Sequence, residues 1–178
     1  MNIVFIGARG AGKSKISRAL SKRIEFPVVS TDSIAVYESG GIPIPKFLEQ
    51  KSWHEFRDLE FKILSNLQNA DGIILDCGGG ILFDLDENGN EYLSERKFSL
   101  LKTIGRIFYL ERDTKELIEK VKGDSTRPDL SKINSYKEIL IRRLPYYENS
   151  AHYTLNLSKL TKEEAVEKVC DILGFYPK

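Results

Sequence analysis

Hydrophobic residues along this chain follow two rhythms that alternate from one end to the other. Short apolar runs, the mark of strands buried on both faces, occur at Asn2–Ile6, Pro27–Val29, Gly72–Leu75, Arg106–Leu110 and Tyr153–Leu157. Between them lie stretches whose apolar residues stand three and four apart, the spacing of a helix that turns one face to a core. Ser14–Ile24 places Ile16, Ala19, Leu20 and Ile24 on such a face. Trp53–Leu67 does the same with Trp53, Phe56, Leu59, Ile63 and Leu67, and Ser52 stands where an N-cap belongs. Thr114–Val121, Tyr136–Ser150 around Pro145, and Thr161–Leu173 complete the helical set. Strand and helix in alternation predict an α/β fold: three layers, α/β/α, with a five-stranded parallel sheet in one domain over 1–178. Two stretches break the rhythm. Asp84–Phe98 reads as an insertion between the third and fourth strands, and residues 122–131, polar with Gly123 and Pro128, read as a mobile lid.

Composition narrows the possibilities. The 178 residues suit one domain with a sizeable core, and 41% hydrophobic with 30% charged residues is ordinary for a globular chain. Twenty-seven basic residues against 26 acidic leave a formal charge of +1. A nucleic-acid binder would carry a basic face, so no nucleic-acid partner is expected. No apolar run approaches the roughly 20 residues of a membrane span, and Met1–Ile6 is too short for a secretory leader. A cytoplasmic monomer with no membrane partner is expected. Cys77 and Cys170 are too few for a disulfide framework or a metal cluster.

The chemistry begins where the first strand ends. Gly7-Ala8-Arg9-Gly10-Ala11-Gly12-Lys13-Ser14 satisfies G-x-x-x-x-G-K-[ST] in full, between a strand and a helix. Such a loop turns its backbone N–H groups toward the phosphates of ATP, at a helix N-terminus that favours negative charge. All eight residues are therefore candidate ATP-binding residues. Lys13 is placed to reach the β- and γ-phosphates, and the Ser14 hydroxyl to ligate Mg²⁺.

A phosphate loop does not name its acceptor. Further along stand Asp32 after the second strand, Arg57 on a helix, Gly78-Gly79-Gly80 after the third strand, Arg127 in the lid stretch, and Arg143 on a later helix. Ligands of open α/β sheets bind at the carboxyl ends of the strands. Paired arginines suit an acceptor that carries a carboxylate, because the guanidinium fork matches it bidentately. In this order and spacing the chain resembles the shikimate kinase family over essentially its whole length. The matching elements are the P-loop, the aspartate after strand two, Phe56-Arg57-x-x-Glu60, the triple glycine, Arg127-Pro128 and Arg143-x-Pro145-x-Tyr147. The resemblance implies a P-loop kinase fold and transfer of the ATP γ-phosphate to the 3-hydroxyl of shikimate, in aromatic amino-acid biosynthesis. It implies that Arg57 and Arg143 clamp the shikimate carboxylate, and that Asp32 binds the ring hydroxyls and orients the attacking one. Gly78, Gly79 and Gly80 would let the ring lie against backbone N–H groups. Arg127 would swing in with the lid onto the transferring phosphoryl group and the ATP, so that Lys13, Asp32 and Arg127 form the catalytic set. A gluconate-kinase-like enzyme and a non-catalytic relative of the same family are the competing readings.

The chain departs from the family pattern at several points. The family usually has an aspartate two residues before Asp32; here it is Ser30. The lid reads Arg127-Pro128-Asp129-Leu130 where the family favours Leu after Pro. The third strand ends in Asp76, where shikimate kinases more often carry a small hydroxyl or apolar residue. An apolar strand ending in an acid has the form of a Walker B strand, so Asp76 is expected to support Mg²⁺ in place of the missing carboxylate. Its alternative role is to cap the glycine turn. Asp84-Leu85-Asp86-Glu87-Asn88-Gly89 with Glu95 matches a calcium loop in letters. No helix is expected before it, and Glu91 stands where an apolar residue belongs, so a polar turn on Asn88-Gly89 is the better reading. His54 reads as a helix-face residue, Cys77 as a buried thiol, and Phe175-Tyr176 as the dock for the end of the chain.

Overall fold

The computed structural model describes residues 1–121 and 135–175. Five parallel strands form the central sheet: β1 (Ile3–Ile6), β2 (Val28–Ser30), β3 (Ile74–Asp76), β6 (Arg106–Glu111) and β7 (Tyr153–Asn156), in the order β2-β3-β1-β6-β7. A separate antiparallel ribbon pairs β4 (Phe83–Leu85) with β5 (Glu91–Leu93). Eight helices connect the strands: α1 (Lys13–Ile24), α2 (Thr31–Glu38), α3 (Ile44–Gln50), α4 (Trp53–Leu67), α5 (Glu95–Ile104), α6 (Thr114–Val121), α7 (Tyr136–Ser150) and α8 (Lys162–Leu173). The α/β class, the five parallel strands and the helices of the periodic stretches are as the sequence predicts. The expected lid, 122–131, lies outside the described residues.

Strand alternation divides the core in two. Ile3 and Phe5 of β1 face α1 and α8, where Ile16, Leu20, Ala165 and Val169 close one layer. Val4 and Ile6 face the other way, onto Leu64 of α4, Leu101 of α5, and Leu140 and Tyr147 of α7. All four β1 side chains are fully buried, as a central parallel strand requires. A third cluster joins α2, α3 and α4 through Ala35, Phe47 and Phe56. Phe175 closes on Phe26, ring centroids 5.5 Å apart and edge to face. Tyr176 lies outside the described residues.

Asp84–Phe98 has more structure than its polar composition indicates. It contains the end of β4, the ribbon turn, β5 and the start of α5. The Asp86 carboxylate accepts from the N–H groups of Asn88 and Asn90 (2.9 and 2.8 Å), with Gly89 at φ 81°. His54 on α4 meets the Asp86 carbonyl oxygen at 3.0 Å. Strands of three residues are too short to hold a ribbon alone. Asp84 pins this one: it accepts from Ser94 Oγ (2.7 Å) and Arg96 Nε (2.8 Å), and it pairs with Lys97 Nζ (3.1 Å). Lys97 is fully buried on α5 and also pairs with Glu60 of α4 at 3.0 Å.

This arrangement has two measurable consequences. Lys97→Met leaves Glu60 and Asp84 buried without their common cation, at a cost of about 3–5 kcal/mol in denaturant unfolding. Burial pushes the Asp84 carboxyl up, but Arg96, Ser94 and Lys97 outweigh it and bring it from 3.8 down to about 2. A group depressed on folding stabilises above its unfolded value, so this contribution is complete above 3.8 and disappears as pH falls toward 2. Wild type should therefore lose more stability than Asp84→Asn between those limits in acid titration.

Candidate functional site

The turn from β1 into α1 is a backbone construction. Gly7, Gly10 and Gly12 have φ of 140°, 81° and 106°, the left-handed region that glycine enters without strain. At Gly7 there is also no room, since a Cβ would stand 2.7 Å from the Leu110 carbonyl oxygen. Helix α1 begins with no side-chain cap and no acid in its first turn, so its N–H groups are left to the loop. Lys13, 8% exposed, donates to the carbonyl oxygens of Gly7 and Ala8, both at 2.9 Å. Two braces come from residues the motif does not contain. Tyr136 donates its hydroxyl to the Arg9 carbonyl (2.8 Å), and Arg112 donates Nε–H to that of Ala11 (3.2 Å).

A cleft of about 510 Å³ opens beside this loop, and Lys13, Ser14, Ser30, Asp32, Asp76 and Gly79 are among the residues that line it. Asp76 ends β3, in register with Phe5 of β1 on one side and Ser30 of β2 on the other. Burial pushes its carboxyl up; a hydrogen bond from Ser14 and the charge of Lys13 oppose this, and Asp32 adds to it. Ser30 is engaged elsewhere: its Oγ accepts from Ser33 N at 3.3 Å and caps α2. Asp32 lies in the first turn of α2, where an acid is favoured by the helix N-terminus.

The oxygen donors fit a hard divalent cation. Mg²⁺ is held by one or two carboxylates, a hydroxyl and substrate phosphates rather than by an all-protein cage. Ser14 and Asp76 supply that set. A buried carboxylate whose charge is disfavoured by desolvation also gains most from a nearby cation.

The glycine turn after β3 meets Asp32 and Arg57. The Gly78 N–H is donated to Thr31 Oγ1 at 2.8 Å. A Cβ on Gly78 would stand 2.5 Å from Asp32 Oδ1, and one on Gly80 would stand 2.3 Å from Arg57 Nη1. The turn is bare because the aspartate and the arginine pack directly on it. The Gly79 carbonyl accepts from Arg143 Nη1 (3.2 Å) and from the Tyr147 hydroxyl. Arg57 and Arg143 do converge, as expected, but both are buried, at 2% and 5% exposure. Arg57 Nη1 is bonded to Glu60 at 2.9 Å. Between the two arginines stands Glu91 of β5. It accepts from Arg57 Nη2 at 3.2 Å, from Arg143 Nε at 2.8 Å and from Arg143 Nη2. Burial raises the Glu91 carboxyl, but Arg143 and Arg57 outweigh it and hold it below its usual range. Arg127 lies outside the described residues. Cys77 is a buried free thiol, pushed well up by burial.

The shikimate kinase family model matches residues 9–174. The chain belongs to the shikimate kinase family. It is therefore an enzyme, an ATP-dependent kinase. It is 69% identical over 178 residues to a shikimate kinase of Leptospira biflexa serovar Patoc, covering 100% of this chain and 98% of that one. To the shikimate kinase of Leptospira borgpetersenii serovar Hardjo-bovis it is 54% identical over 170 residues, covering 94% and 95%. Among solved structures, a shikimate kinase from Acinetobacter baumannii in complex with shikimate superposes with a TM-score of 0.81 at 24% identity, covering 99% of this chain and 95% of that one. At that identity the likeness speaks for the fold. No helix among the described residues is long and apolar enough to cross a membrane.

Sequence reasoning did not pick out Glu91, Lys97, Tyr136 or Arg112 as site residues. Glu91 carried one signal, its charge at a loop position that wanted an apolar residue, and that signal was read only against calcium. The Gly80 contact gives a prediction. Gly80→Ala should fold, because the atoms that an added Cβ would meet are the guanidinium end of the Arg57 side chain rather than backbone, but it must push Arg57 off its seat. The KM for the acceptor should rise about tenfold or more, the loss of one charge-assisted contact, while the KM for ATP stays within about twofold of wild type. A steady-state assay varying each substrate in turn checks the split.

Proposed function

We propose that this chain transfers the γ-phosphate of ATP to the 3-hydroxyl of shikimate, giving shikimate 3-phosphate and ADP. The observation that carries the reading is one cleft in which a phosphate loop, two carboxylates and a bare glycine turn meet, with a two-arginine cluster directly behind that turn. The family to which the chain belongs supports the acceptor, and the geometry is consistent with the roles that follow.

Backbone N–H groups of Gly7–Ser14 and the Lys13 ammonium hold the β- and γ-phosphates at the start of α1. Mg²⁺, when bound, neutralises charge that builds on the β- and γ-oxygens. Ser14 and Asp76 hold it. Arg57 and Arg143 take the shikimate carboxylate, which fixes the ring against Gly78, Gly79 and Gly80. Asp32 accepts the proton of the attacking hydroxyl as its oxygen bonds to the γ-phosphorus and the bond to the β–γ bridging oxygen breaks. The catalytic set closes with Arg127, whose charge meets the phosphoryl group in flight. The reading includes a cytoplasmic monomer: Cys77 and Cys170 are both free and buried, as suits a reducing compartment.

Coupled measurement of ADP release with shikimate, with gluconate and with no added acceptor tests the function. Turnover should require shikimate; equal turnover with gluconate, or none with either, would overturn the assignment. The metal site has its own test. Asp76→Asn should raise the Mg²⁺ concentration needed for half-maximal rate and lower kcat ten- to hundredfold, about 1.4–2.7 kcal/mol. Ser30→Ala should do little, since its hydroxyl caps α2. The reverse pattern would return the carboxylate's role to strand two.

A further inference from the structure

We infer that Glu91 is an internal stand-in for the acceptor carboxylate, which the substrate must displace from Arg57 and Arg143, and that this exchange sets the specificity of the acceptor site. The inference rests on the clamp reading above and goes beyond it.

The geometry is that of a ligand in its seat. Arg143 presents the Nε and Nη2 edge of its guanidinium, and both oxygens of Glu91 meet it, the fork-to-fork pairing of arginine with carboxylate. The same carboxylate reaches Arg57 Nη2 at 3.2 Å. A bound carboxylic acid would be expected to make these contacts, and a side chain of the protein makes them instead. The charge balance agrees. Arg57 already has Glu60 as a partner, and Glu91 answers the charge of Arg143, so the pair of arginines carries no surplus positive charge for a newcomer.

The seat is also imperfectly filled. The Nε–H of Arg57 is buried and has no hydrogen-bond partner among the described residues. Glu91 uses one donor on that edge of Arg57 where a carboxylate lying side-on would use two. The device that carries Glu91 is able to let go. Glu91 opens β5 beside a turn whose residues Glu87–Asn90 are exposed, while the ribbon's other end is pinned by Asp84 to Ser94, Arg96 and Lys97. Releasing Glu91 costs one carboxylate–arginine set and leaves the ribbon's anchor intact.

Selectivity follows from the exchange. An acid that binds through its carboxylate alone trades one carboxylate for another and gains little. An acceptor that also places hydroxyls on Asp32 keeps the gain from those contacts. Glu91 thus acts against simple carboxylates, a built-in competitor rather than an added attraction.

The test uses Glu91→Gln in the full chain, with Glu91→Asp as the second variant. Trp53, the single tryptophan of the chain, lies with its ring 5.3 Å from the Arg57 guanidinium carbon and reports binding there by fluorescence. If Glu91 holds the clamp about 90% of the time, its removal lowers the Kd and the KM for shikimate about tenfold. Cyclohexanecarboxylate, a ring acid without hydroxyls, should become a competitive inhibitor at about tenfold lower concentration than in wild type. The KM for ATP should not move. Shikimate should also raise the melting temperature of Glu91→Gln more than that of wild type, because it restores the missing counter-charge. Should Glu91→Gln fold poorly, Glu91→Asp, one methylene short of both arginines, must show the same direction. An unchanged or raised Kd for shikimate in the folded variants overturns the inference, since Glu91 would then merely hold the arginines in place. Arg57→Ala and Arg143→Ala separate the two levels: if neither raises the KM for shikimate, the clamp reading itself has failed.

Discussion

A chain of alternating buried charges runs through this protein from Asp84 on the first strand of its ribbon to Arg143 on α7. Arg143 pairs with Glu91, Glu91 with Arg57, Arg57 with Glu60, Glu60 with Lys97, and Lys97 with Asp84. Each of these groups loses hydration on burial, and each repays the next. Such an arrangement does little for net stability compared with apolar packing, yet the removal of any one member strands its neighbour. That asymmetry makes the chain a device for position. Through Glu60, Lys97 and Asp84 it ties α4, α5 and the β4–β5 ribbon to one another. Arg57 keeps its place because Glu60 holds one end of its guanidinium and the bare Cα of Gly80 leaves room for it.

The phosphate end of the cleft is organised on a different principle. Its positions are set by backbone: three glycines in left-handed conformations, carbonyls braced by Lys13, Tyr136 and Arg112, and the open N-terminus of α1. Backbone sites tolerate exchange of the residues around them and bind a ligand common to many enzymes. The acceptor end is set by side-chain charge and is particular to this reaction. The two meet at Gly78–Gly80, where a strand end turns and both kinds of group can approach without a Cβ between them.

How much of this was legible in the sequence depended on the range of the interaction. The P-loop was legible because eight consecutive residues carry it. The sheet was legible because Val4, Leu75 and Phe108 lie in runs apolar on both faces. The proposed acceptor residues, Arg57, Arg143 and Asp32, were legible as a family pattern, and the structure does bring the two arginines together. Their present partner was not. Glu91 is 34 residues from Arg57 and 52 from Arg143, in a polar stretch without period, and nothing local marks a glutamate that will be buried between cations. Lys97 was hidden for the same reason, since a lysine on an amphipathic helix usually belongs to solvent. Helices α2 and α3 escaped because each is short and neither repeats an apolar face long enough to be read. The ribbon escaped because three-residue strands give alternation no room to show.

The proposed placement of the metal carboxylate at Asp76 rather than at the Ser30 position has a simple geometric basis. In the order β2-β3-β1, the end of β2 is separated from the phosphate loop by the whole width of β3, and Ser30 lies directly across from Asp76. Neighbouring strands are about 4.8 Å apart. A carboxylate on β3 stands beside β1 and its loop, one strand nearer to Ser14 than a carboxylate on β2 would be. Moving the charge one strand inward shortens the path to the metal and frees the β2 position to cap α2. That cap matters to the acceptor, because α2 carries Asp32 in its first turn. A serine at the cap fixes the start of the helix, and with it the carboxylate of Asp32, the proposed general base. On the proposed reading, serine at this position gives up a metal carboxylate and gains a cap that seats Asp32, with Asp76 on β3 supplying the charge.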